Sequence, residues 1–276
     1  VTLTHDPKLD DPAIRAALRP PTLQALEALD VLVVTTSTNE RLTSRPAPPP
    51  GRISAVVAEY QTGGRGRRGR RWLSPLGHGI CLSVSWCFEL APRDLPALSL
   101  VAGVAVAMAL ADQGVEGVQL KWPNDIVAAG GKLGGILVEV AGEPGGPLRV
   151  VIGIGLNVRP VAGIAAALRG EGGNLPALAL DDLLDGRRLP RNALVAALLD
   201  VLHGSLRSFG TTGARDFLAE WRQRDCLAGH LVVVTRGQES FTGLACGLAD
   251  DGSLLVDRDG SIVPVVAGDV TLRAPV

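Results

Sequence analysis

The stretch from residue 63 to residue 71 reads Gly63-Gly64-Arg65-Gly66-Arg67-Arg68-Gly69-Arg70-Arg71. It lies between two apolar runs, Ile53 to Glu59 and Ile80 to Trp86, that we predict to be strands. Glycines let backbone N–H groups approach an anion closely, and arginines bind carboxylate or phosphate oxygens through paired hydrogen bonds. Because closely spaced glycines make a fixed backbone costly, we predict a cationic loop that is mobile when empty and orders around an anionic ligand.

The same loop also fits a nucleic-acid site, since clustered basic residues are the usual footprint of such proteins. The chain as a whole carries 27 Lys and Arg against 28 Asp and Glu, for a formal net charge of −1. This balance favours neither a nucleic-acid nor a membrane partner, and no aromatic stacking platform accompanies the loop in the sequence. A non-catalytic RNA-binding protein that uses the loop stays as an alternative of a different class.

Two further segments place lysines beside turns, Lys121-Trp122-Pro123-Asn124-Asp125 and Gly130-Gly131-Lys132-Leu133-Gly134-Gly135. A lysine that ends a buried strand is costly to desolvate unless it meets an anion. After the stiff proline, Asn124 and Asp125 can offer oxygen atoms to a metal or a nucleotide. Taken alone, each segment also fits an ordinary turn with a surface lysine.

The length and the apolar pattern predict an α+β protein. With 276 residues, 46% of them apolar, the chain can bury one substantial core and a small second one. We predict an N-terminal helical extension over residues 1–30, then a mixed β-sheet domain with packed helices over residues 31–224, whose first strand is Val31 to Val34. Short alternating runs separated by turns predict a small β-barrel domain over residues 225–276.

The sequence also predicts a soluble, cytoplasmic protein. The first residues, Val1 to Asp11, lack the apolar core of a secretory signal. The most apolar stretch, Ala97 to Ala111, is shorter than the roughly 20 residues of a bilayer span, so we predict a buried helix there. The four cysteines show no metal-ligand spacing, which favours free thiols in a reducing compartment over a zinc site.

Taken together, the motifs resemble those of biotin–protein ligases in order and in spacing. The resemblance rests on Thr36-Ser37-Thr38-Asn39-Glu40, residues 58–70, Lys121 to Asp125, residues 131–137 and Gly153-Ile154-Gly155-Leu156-Asn157-Val158. It extends from about Val31 to the C-terminus and includes the small terminal domain, which in this family is an SH3-like β-barrel. The arginine–glycine loop combined with the Lys-Trp-Pro-Asn-Asp run is the most specific part of the match.

The resemblance implies a set of site residues. For biotin they are Ser37, Thr38, Asn39, Gln61, Arg65, Gly66, Arg67, Lys121, Gly134, Gly153 and Gly155. For the nucleotide they are Arg65, Arg67, Arg68, Arg70, Trp72, Lys121, Asn124, Lys132 and Asn157. Lys121 and Arg67 are the implied catalytic residues, and no metal ligands are implied. A hydroxyl-and-amide set such as Ser37, Thr38 and Gln61 suits the ureido head of biotin, because a buried urea needs its donors and acceptors paired.

The resemblance further implies a two-step reaction. Biotin attacks the α-phosphorus of MgATP to give biotinyl-5′-adenylate and pyrophosphate, and a lysine of a biotin carboxyl carrier domain of acetyl-CoA carboxylase then displaces AMP. Biotin and ATP are therefore substrates, with Mg²⁺ as the accompanying ion. No enzyme nucleophile is needed, so positioning, charge neutralisation and exclusion of water supply the rate. The arginine–glycine loop is expected to act as a lid over the adenylate.

Two departures from the family pattern carry expectations of their own. About thirty residues precede the first predicted strand, fewer than the roughly sixty of a winged-helix module, so we expect no DNA binding. The stretch Arg169 to Asp182 lacks the tryptophan that stacks on adenine in related enzymes, and Leu175 or Leu178 is expected to replace it. A homodimer through a sheet edge and a monomer are both left open.

Within the enzymes, a lipoate–protein ligase is the nearest alternative, because it shares the adenylate chemistry. Such proteins carry an Arg-Arg-x-x-Gly-Gly-Gly type of motif and lack the arrangement of Gln61 followed by Gly-Arg-Gly-Arg that this chain has. Contacts to the ligand head decide between the two acids.

Overall fold

The core of the molecule is a seven-stranded mixed sheet. The structure, a computed structural model, describes residues 8–142, 147–161 and 175–272. The strands are β1 Leu26–Thr35, β2 Ile53–Gln61, β3 Gly79–Phe88, β4 Gln119–Lys121, β5 Asp125–Ala128, β6 Gly131–Gly142 and β7 Leu148–Asn157. They lie in the order β1-β2-β3-β7-β6-β5-β4. Strands β1 and β2 pair in parallel, and the other neighbours pair antiparallel.

Helices pack on both faces of this sheet. The described helices are α1 Asp11–Ala17, α2 Pro20–Ala25, α3 Thr38–Thr43, α4 Leu98–Asp112, α5 Arg191–Thr212 and α6 Arg215–Gln223. Helices α4 and α5 share the main core with Val57 and Ile152, whereas Leu42 of α3 packs with Val56 and Val151. Because successive strand residues point to opposite faces, α3 lies on the face away from α4 and α5.

Two helical segments, Leu95–Asp112 and Arg191–Thr212, are long and apolar enough to cross a membrane by length and composition alone. Most of each segment is buried inside the protein, and α4 buries eleven of its fifteen residues. A helix that is apolar on all sides and covered on all sides is typical of a protein core. The predicted buried helix at Ala97 to Ala111 is therefore confirmed.

The C-terminal residues form a separate antiparallel sheet. Its strands are β8 Leu231–Arg236, β9 Glu239–Leu248, β10 Leu254–Arg258, β11 Ser261–Val265 and β12 Asp269–Leu272, in the order β11-β10-β9-β8-β12. The indole Nε1 of Trp122 donates a 3.1 Å hydrogen bond to Gly252 O, which ties this sheet to the larger one. The predicted α+β fold, with a small terminal β domain, is confirmed.

The structure corrects the start of the first strand. The strand was predicted to begin at Val31, but β1 begins at Leu26, inside the predicted helical extension. Helix α1 ends at Ala17, before Pro20, and the residues from Leu26 onward gain a parallel partner in β2 from Ile53 onward. Pairing with a strand nearly thirty residues away overrides local helical spacing. The domain division at residues 30/31 and 224/225 stays a prediction.

Candidate functional site

A cavity of about 200 Å³ opens where the large sheet meets the arginine–glycine loop and strand β12. Its wall contains most of the residues that the sequence singled out: Ser37, Thr38, Asn39, Gln61, Arg65, Gly66, Arg67, Arg70, Trp72, Lys121, Asn124, Lys132, Gly153, Gly155 and Asn157. Segments that lie more than a hundred residues apart in the chain thus meet in one place. The structure brings the predicted biotin and nucleotide residues together in a single continuous site.

Two predicted site residues do not reach the cavity wall. A Cβ atom at Gly134 would clash with the carbonyl oxygen of Gly155, so this glycine allows close strand packing, and its neighbour Gly135 lines the cavity instead. The guanidinium of Arg68 forms an ion pair with Asp269 of β12, with 3.1 Å between Nη1 and Oδ2. Gly134 therefore contributes to strand packing, and Arg68 to the contact between the loop and β12, and neither lines the cavity.

One end of the cavity is polar and nearly neutral. Ser37 is the N-cap of α3 and its hydroxyl accepts a hydrogen bond from Glu40 N. The backbone N and the Oγ1 of Thr38 both donate to Gln61 Oε1, at 2.7 and 3.1 Å. Gln61 ends β2 and Thr38 opens α3, so the junction of a strand and a helix fixes both side chains.

Two partners of this polar end were missed by sequence reasoning. Ser83 Oγ lies 2.7 Å from Thr38 Oγ1 and 2.5 Å from Asn39 Oδ1, and the amide Nδ2 of Asn39 donates to Glu139 Oε2 at 2.7 Å. A Cβ atom at Gly153 would occupy the space of the Asn39 amide, which explains the glycine. The available signal was a pair of serines, Ser83 and Ser85, in the otherwise apolar strand β3.

The other end of the cavity holds a cluster of three charged side chains. Asp125 Oδ1 lies 2.5 Å from Lys132 Nζ, and its Oδ2 lies 3.3 Å from Lys121 Nζ. Burial raises the pKa of Asp125, but the charges and hydrogen bonds of Lys132 and Lys121 more than offset it, so the pKa lies below its usual value. Two of the three lysines in the chain are thus held at one point of the cavity.

The arginine–glycine loop folds back on itself as a short hairpin. Gly66 N donates to Arg70 O at 2.7 Å, and the turn uses left-handed backbone at Arg68 (φ 56°) and Gly69 (φ 73°). Arg70 also forms an ion pair with Asp269, so the terminal β domain holds the loop over the cavity. Burial lowers the pKa of Arg67, and its Nη1 is a buried donor that has no hydrogen-bond partner in the described part of the chain.

Trp72 forms part of the cavity floor. Its indole ring packs directly on Gly155 of β7, where a Cβ atom would clash with the ring. Its Nε1 is a second buried donor without a partner among residues 8–142, 147–161 and 175–272. A buried donor is costly unless a ligand or water accepts from it. The cavity thus offers unsatisfied donors from both Arg67 and Trp72.

The far wall is closed by the segment that follows residue 174. Lys132 N donates to Pro176 O at 2.7 Å, and Asn157 Nδ2 donates to Lys132 O and Leu178 O. Leu175 and Ala177 line the cavity, whereas Leu178 packs on Gly131 and the core. Of the two predicted replacements for an adenine-stacking ring, only Leu175 is therefore in position; residues 169–174 lie outside the described part of the chain.

The charge of the wall indicates the kind of ligand. Six cationic side chains line it against two carboxylates; the cations are Arg65, Arg67, Arg70, Arg71, Lys121 and Lys132. Both carboxylates, Asp125 and Asp269, already pair with lysines or arginines. Such a site attracts an anion with several charges, and its neutral polar end selects a small head group with both donors and acceptors.

Comparison with known proteins agrees with this geometry. Residues 31–157 match the Biotin/lipoate A/B protein ligase family, and residues 229–273 match the Biotin protein ligase C terminal domain. The biotin–[acetyl-CoA-carboxylase] ligase of Mycobacterium tuberculosis is 37% identical over 258 residues, which cover 88% of each chain. The bifunctional ligase/repressor BirA of Escherichia coli is 36% identical over 247 residues, covering 88% of this chain and 74% of that protein.

A solved structure is similar over nearly the whole molecule. The biotin protein ligase of Aquifex aeolicus, determined in complex with biotin and ATP, aligns with a TM-score of 0.71 at 27% identity and covers 91% of this chain and all of its own. Three findings point to the same family: the family models match both sheets, two relatives are more than 35% identical, and the solved structure has the same fold. The chain therefore belongs to the biotin protein ligases within the Biotin/lipoate A/B protein ligase family.

Proposed function

We propose that this protein activates biotin with ATP to biotinyl-5′-adenylate and transfers the biotin to a lysine of a biotin carboxyl carrier domain of acetyl-CoA carboxylase. One observation carries the proposal: a single cavity has a neutral hydroxyl-and-amide end and a wall that carries six cations. The neutral end suits a urea, and the cationic wall suits a carboxylate beside a triphosphate. The relatives named as ligases for acetyl-CoA carboxylase support the acceptor class.

The polar end is assigned to the ureido head of biotin. Gln61 Oε1 is occupied by Thr38, which leaves the Gln61 amide nitrogen to donate to the ureido oxygen. The hydroxyl of Ser37, which lines the cavity, offers an acceptor for a ureido N–H group. The dithiolane ring of lipoate has no such groups, so it would leave this set unpaired at a cost of about 1–3 kcal/mol for each buried group.

We assign the charge at the reacting centre to Lys121 and Arg67. When the biotin carboxylate attacks the α-phosphorus, negative charge builds up on the phosphoryl oxygens, and fixed cations stabilise that charge without reorganising. Asp125 holds the Lys121 ammonium in place, and Nη1 of Arg67, which has no hydrogen-bond partner within the described residues, can donate to an anionic oxygen. The covered site also protects the mixed anhydride from water, and the role of the loop as a lid stays a prediction.

Mg²⁺ is proposed to arrive bound to the triphosphate. The carboxylates of the cavity, Asp125 and Asp269, are already paired with cations, so they are poorly suited to hold a divalent ion by themselves. Magnesium in nucleotide sites usually keeps several waters and binds mainly to phosphate oxygens.

We also propose a cytoplasmic location for the protein, because all four cysteines are free and the substrates are metabolites.

The proposal is tested by ATP–pyrophosphate exchange with biotin and, separately, with lipoate. We expect exchange with biotin, and a preference over lipoate of at least about a hundredfold from the unpaired polar groups. Equal exchange with both acids would contradict the assignment of the polar end. Exchange with neither acid would contradict adenylation itself and turn attention to the arginine–glycine loop as a nucleic-acid site.

Glu139 is expected to affect biotin binding through Asn39. With Glu139→Ala the Asn39 amide loses its acceptor and can rotate, so the KM for biotin should rise by about fivefold, the value of one hydrogen bond, while kcat stays near the wild-type value. Glu139→Gln retains an acceptor and should lie closer to wild type. Glu116→Ala, an exposed glutamate away from the cavity, is the matched control. An unchanged KM in Glu139→Ala would contradict the positioning role.

A further inference from the structure

A second cavity, of about 310 Å³, lies beside the first. The two cavities share wall residues, namely Arg67, Pro123, Ile136 and Leu137. A shared wall means that a side chain entering the second cavity comes within reach of groups that face the reacting centre. The second cavity is therefore adjacent to the proposed active site, and nothing in the two-step reaction described above uses it yet.

Most of the wall of the second cavity is apolar. Leu100 from α4, Trp122 from the turn between β4 and β5, Val138 from β6 and Val266 from the turn between β11 and β12 contribute to it. Trp122 and Leu100 are buried, and Val266, which is 75% exposed, stands at the mouth. Walls of this kind suit an aliphatic stem.

The terminal β domain closes one side of this cavity through residues 251–253. Gly252 has left-handed backbone (φ 85°), and its carbonyl accepts from the Trp122 indole at 3.1 Å. A Cβ atom at Gly252 would lie 3.0 Å from Leu100 Cδ1, so the turn is packed tightly on α4. The second cavity is therefore a built feature between two fixed elements.

The wall of the second cavity also contains an acidic side chain, Asp251. Asp251 Oδ1 accepts from Ser253 N at 2.8 Å, and this hydrogen bond lowers the pKa of Asp251, so the group is charged at neutral pH. Its neighbour Asp250 pairs with Arg222 at 2.9 Å, whereas Asp251 has no ion pair within the described residues. An exposed negative charge beside an apolar cavity attracts a side chain that has an aliphatic stem and a cationic tip.

We propose that the second cavity is the entry route of the acceptor lysine of the carrier domain, with Asp251 attracting the ammonium group at the mouth and the apolar wall receiving its four methylenes. This inference rests on the proposed ligase function and deepens it by naming where the second substrate enters. A lysine side chain is the occupant that fits both features, because it is long, unbranched, apolar along its stem and positively charged at its tip.

The second cavity also favours the neutral, nucleophilic form of the entering lysine. Burial among apolar side chains and the nearby Arg67 guanidinium both lower the pKa of an entering ammonium group, which releases a proton to water. The neutral nitrogen then attacks the carbonyl carbon of biotinyl-adenylate. A C–N bond forms, the C–O bond to the phosphate breaks, AMP leaves with the electron pair, and the second proton passes from the new amide nitrogen to water. No oxidant or further reactant is required.

The test separates the two half-reactions in two pairs of variants. Asp251→Asn is compared with Asp250→Asn, and Val266→Trp, which narrows the mouth, is compared with Ile262→Trp, an exposed apolar position of β11 outside both cavities. Each variant is assayed for biotin-driven ATP–pyrophosphate exchange and for biotin transfer to an unbiotinylated carrier domain. Hydroxylamine capture of the adenylate reports whether the intermediate forms and reacts with a small nucleophile.

We expect Asp251→Asn to raise the KM for the carrier domain by about threefold to tenfold and Val266→Trp to slow transfer by about tenfold or more. Exchange and hydroxylamine capture should stay at the wild-type level in both, and the two controls should behave as wild type. Wild-type transfer by Asp251→Asn and Val266→Trp would overturn the route while leaving the ligase function intact. Absence of biotin-driven exchange in the wild type would instead overturn the function itself.

Discussion

Replacing Lys121 with alanine is expected to lower biotin-driven ATP–pyrophosphate exchange by about 10²–10³-fold, the usual effect of removing one preorganised charge-stabilising group. The Lys121 side chain is only 10% exposed and is fixed by Asp125, so its charge acts in a site with little competing water. No other lysine can take its place, because Lys132 is bound more closely to Asp125, at 2.5 Å.

The matched control is Lys8→Ala, which removes the third lysine of the chain at an exposed position far from the cavity. It should leave exchange unchanged. Thermal unfolding of Lys121→Ala checks that the loss is catalytic, since Asp125 keeps Lys132 as a partner and the fold should persist. If Lys121→Ala retained exchange within about threefold of wild type, less than 1 kcal/mol of transition-state stabilisation could be assigned to this lysine.

Much of the fold could be predicted because its signals are local. Strand β5, Asp125–Ala128, lies between a proline turn and a glycine pair, and both signals can be read from the neighbouring residues. The N-cap role of Ser37 also depends only on neighbouring residues. By contrast, β1 starts five residues earlier than predicted because its partner is a distant strand, and no window of local sequence contains that partner.

Site residues that belong to a sequence motif could be predicted. Their hydrogen-bond and ion-pair partners from distant parts of the chain could not. Asp269 pairs with Arg68 and Arg70 from about two hundred residues away, and Glu139 reaches Asn39 across a hundred. Gly134 was predicted as a biotin-binding residue, whereas Gly135 is the one that lines the cavity. Neighbouring strand residues point to opposite faces, so a shift of one position moves a residue from the cavity to the packed side.

Gly155→Ala is expected to lower biotin-driven exchange by about tenfold to a hundredfold, which corresponds to the 1–3 kcal/mol that overpacking costs. The added methyl group would clash with the Trp72 indole, which rests on this glycine. The ring belongs to a loop at the cavity, so it can yield only by rotating into the space that the substrates need. The loss should therefore appear as weaker substrate binding and slower exchange, with little change in the free energy of unfolding.

Gly134→Ala is the informative comparison, because there the added methyl group would meet the backbone oxygen of Gly155 and not a movable ring. Backbone in the middle of a sheet cannot yield without breaking pairing, so this variant should lose about 1–3 kcal/mol of unfolding free energy. Gly204→Ala, in α5 with open space around the added atom, should be neutral or slightly stabilising. Urea unfolding and exchange assays on all three variants distinguish the cases. If Gly155→Ala lost stability as Gly134→Ala does and kept its exchange rate, Gly155 would serve strand packing alone, and Trp72 would not shape the substrate site.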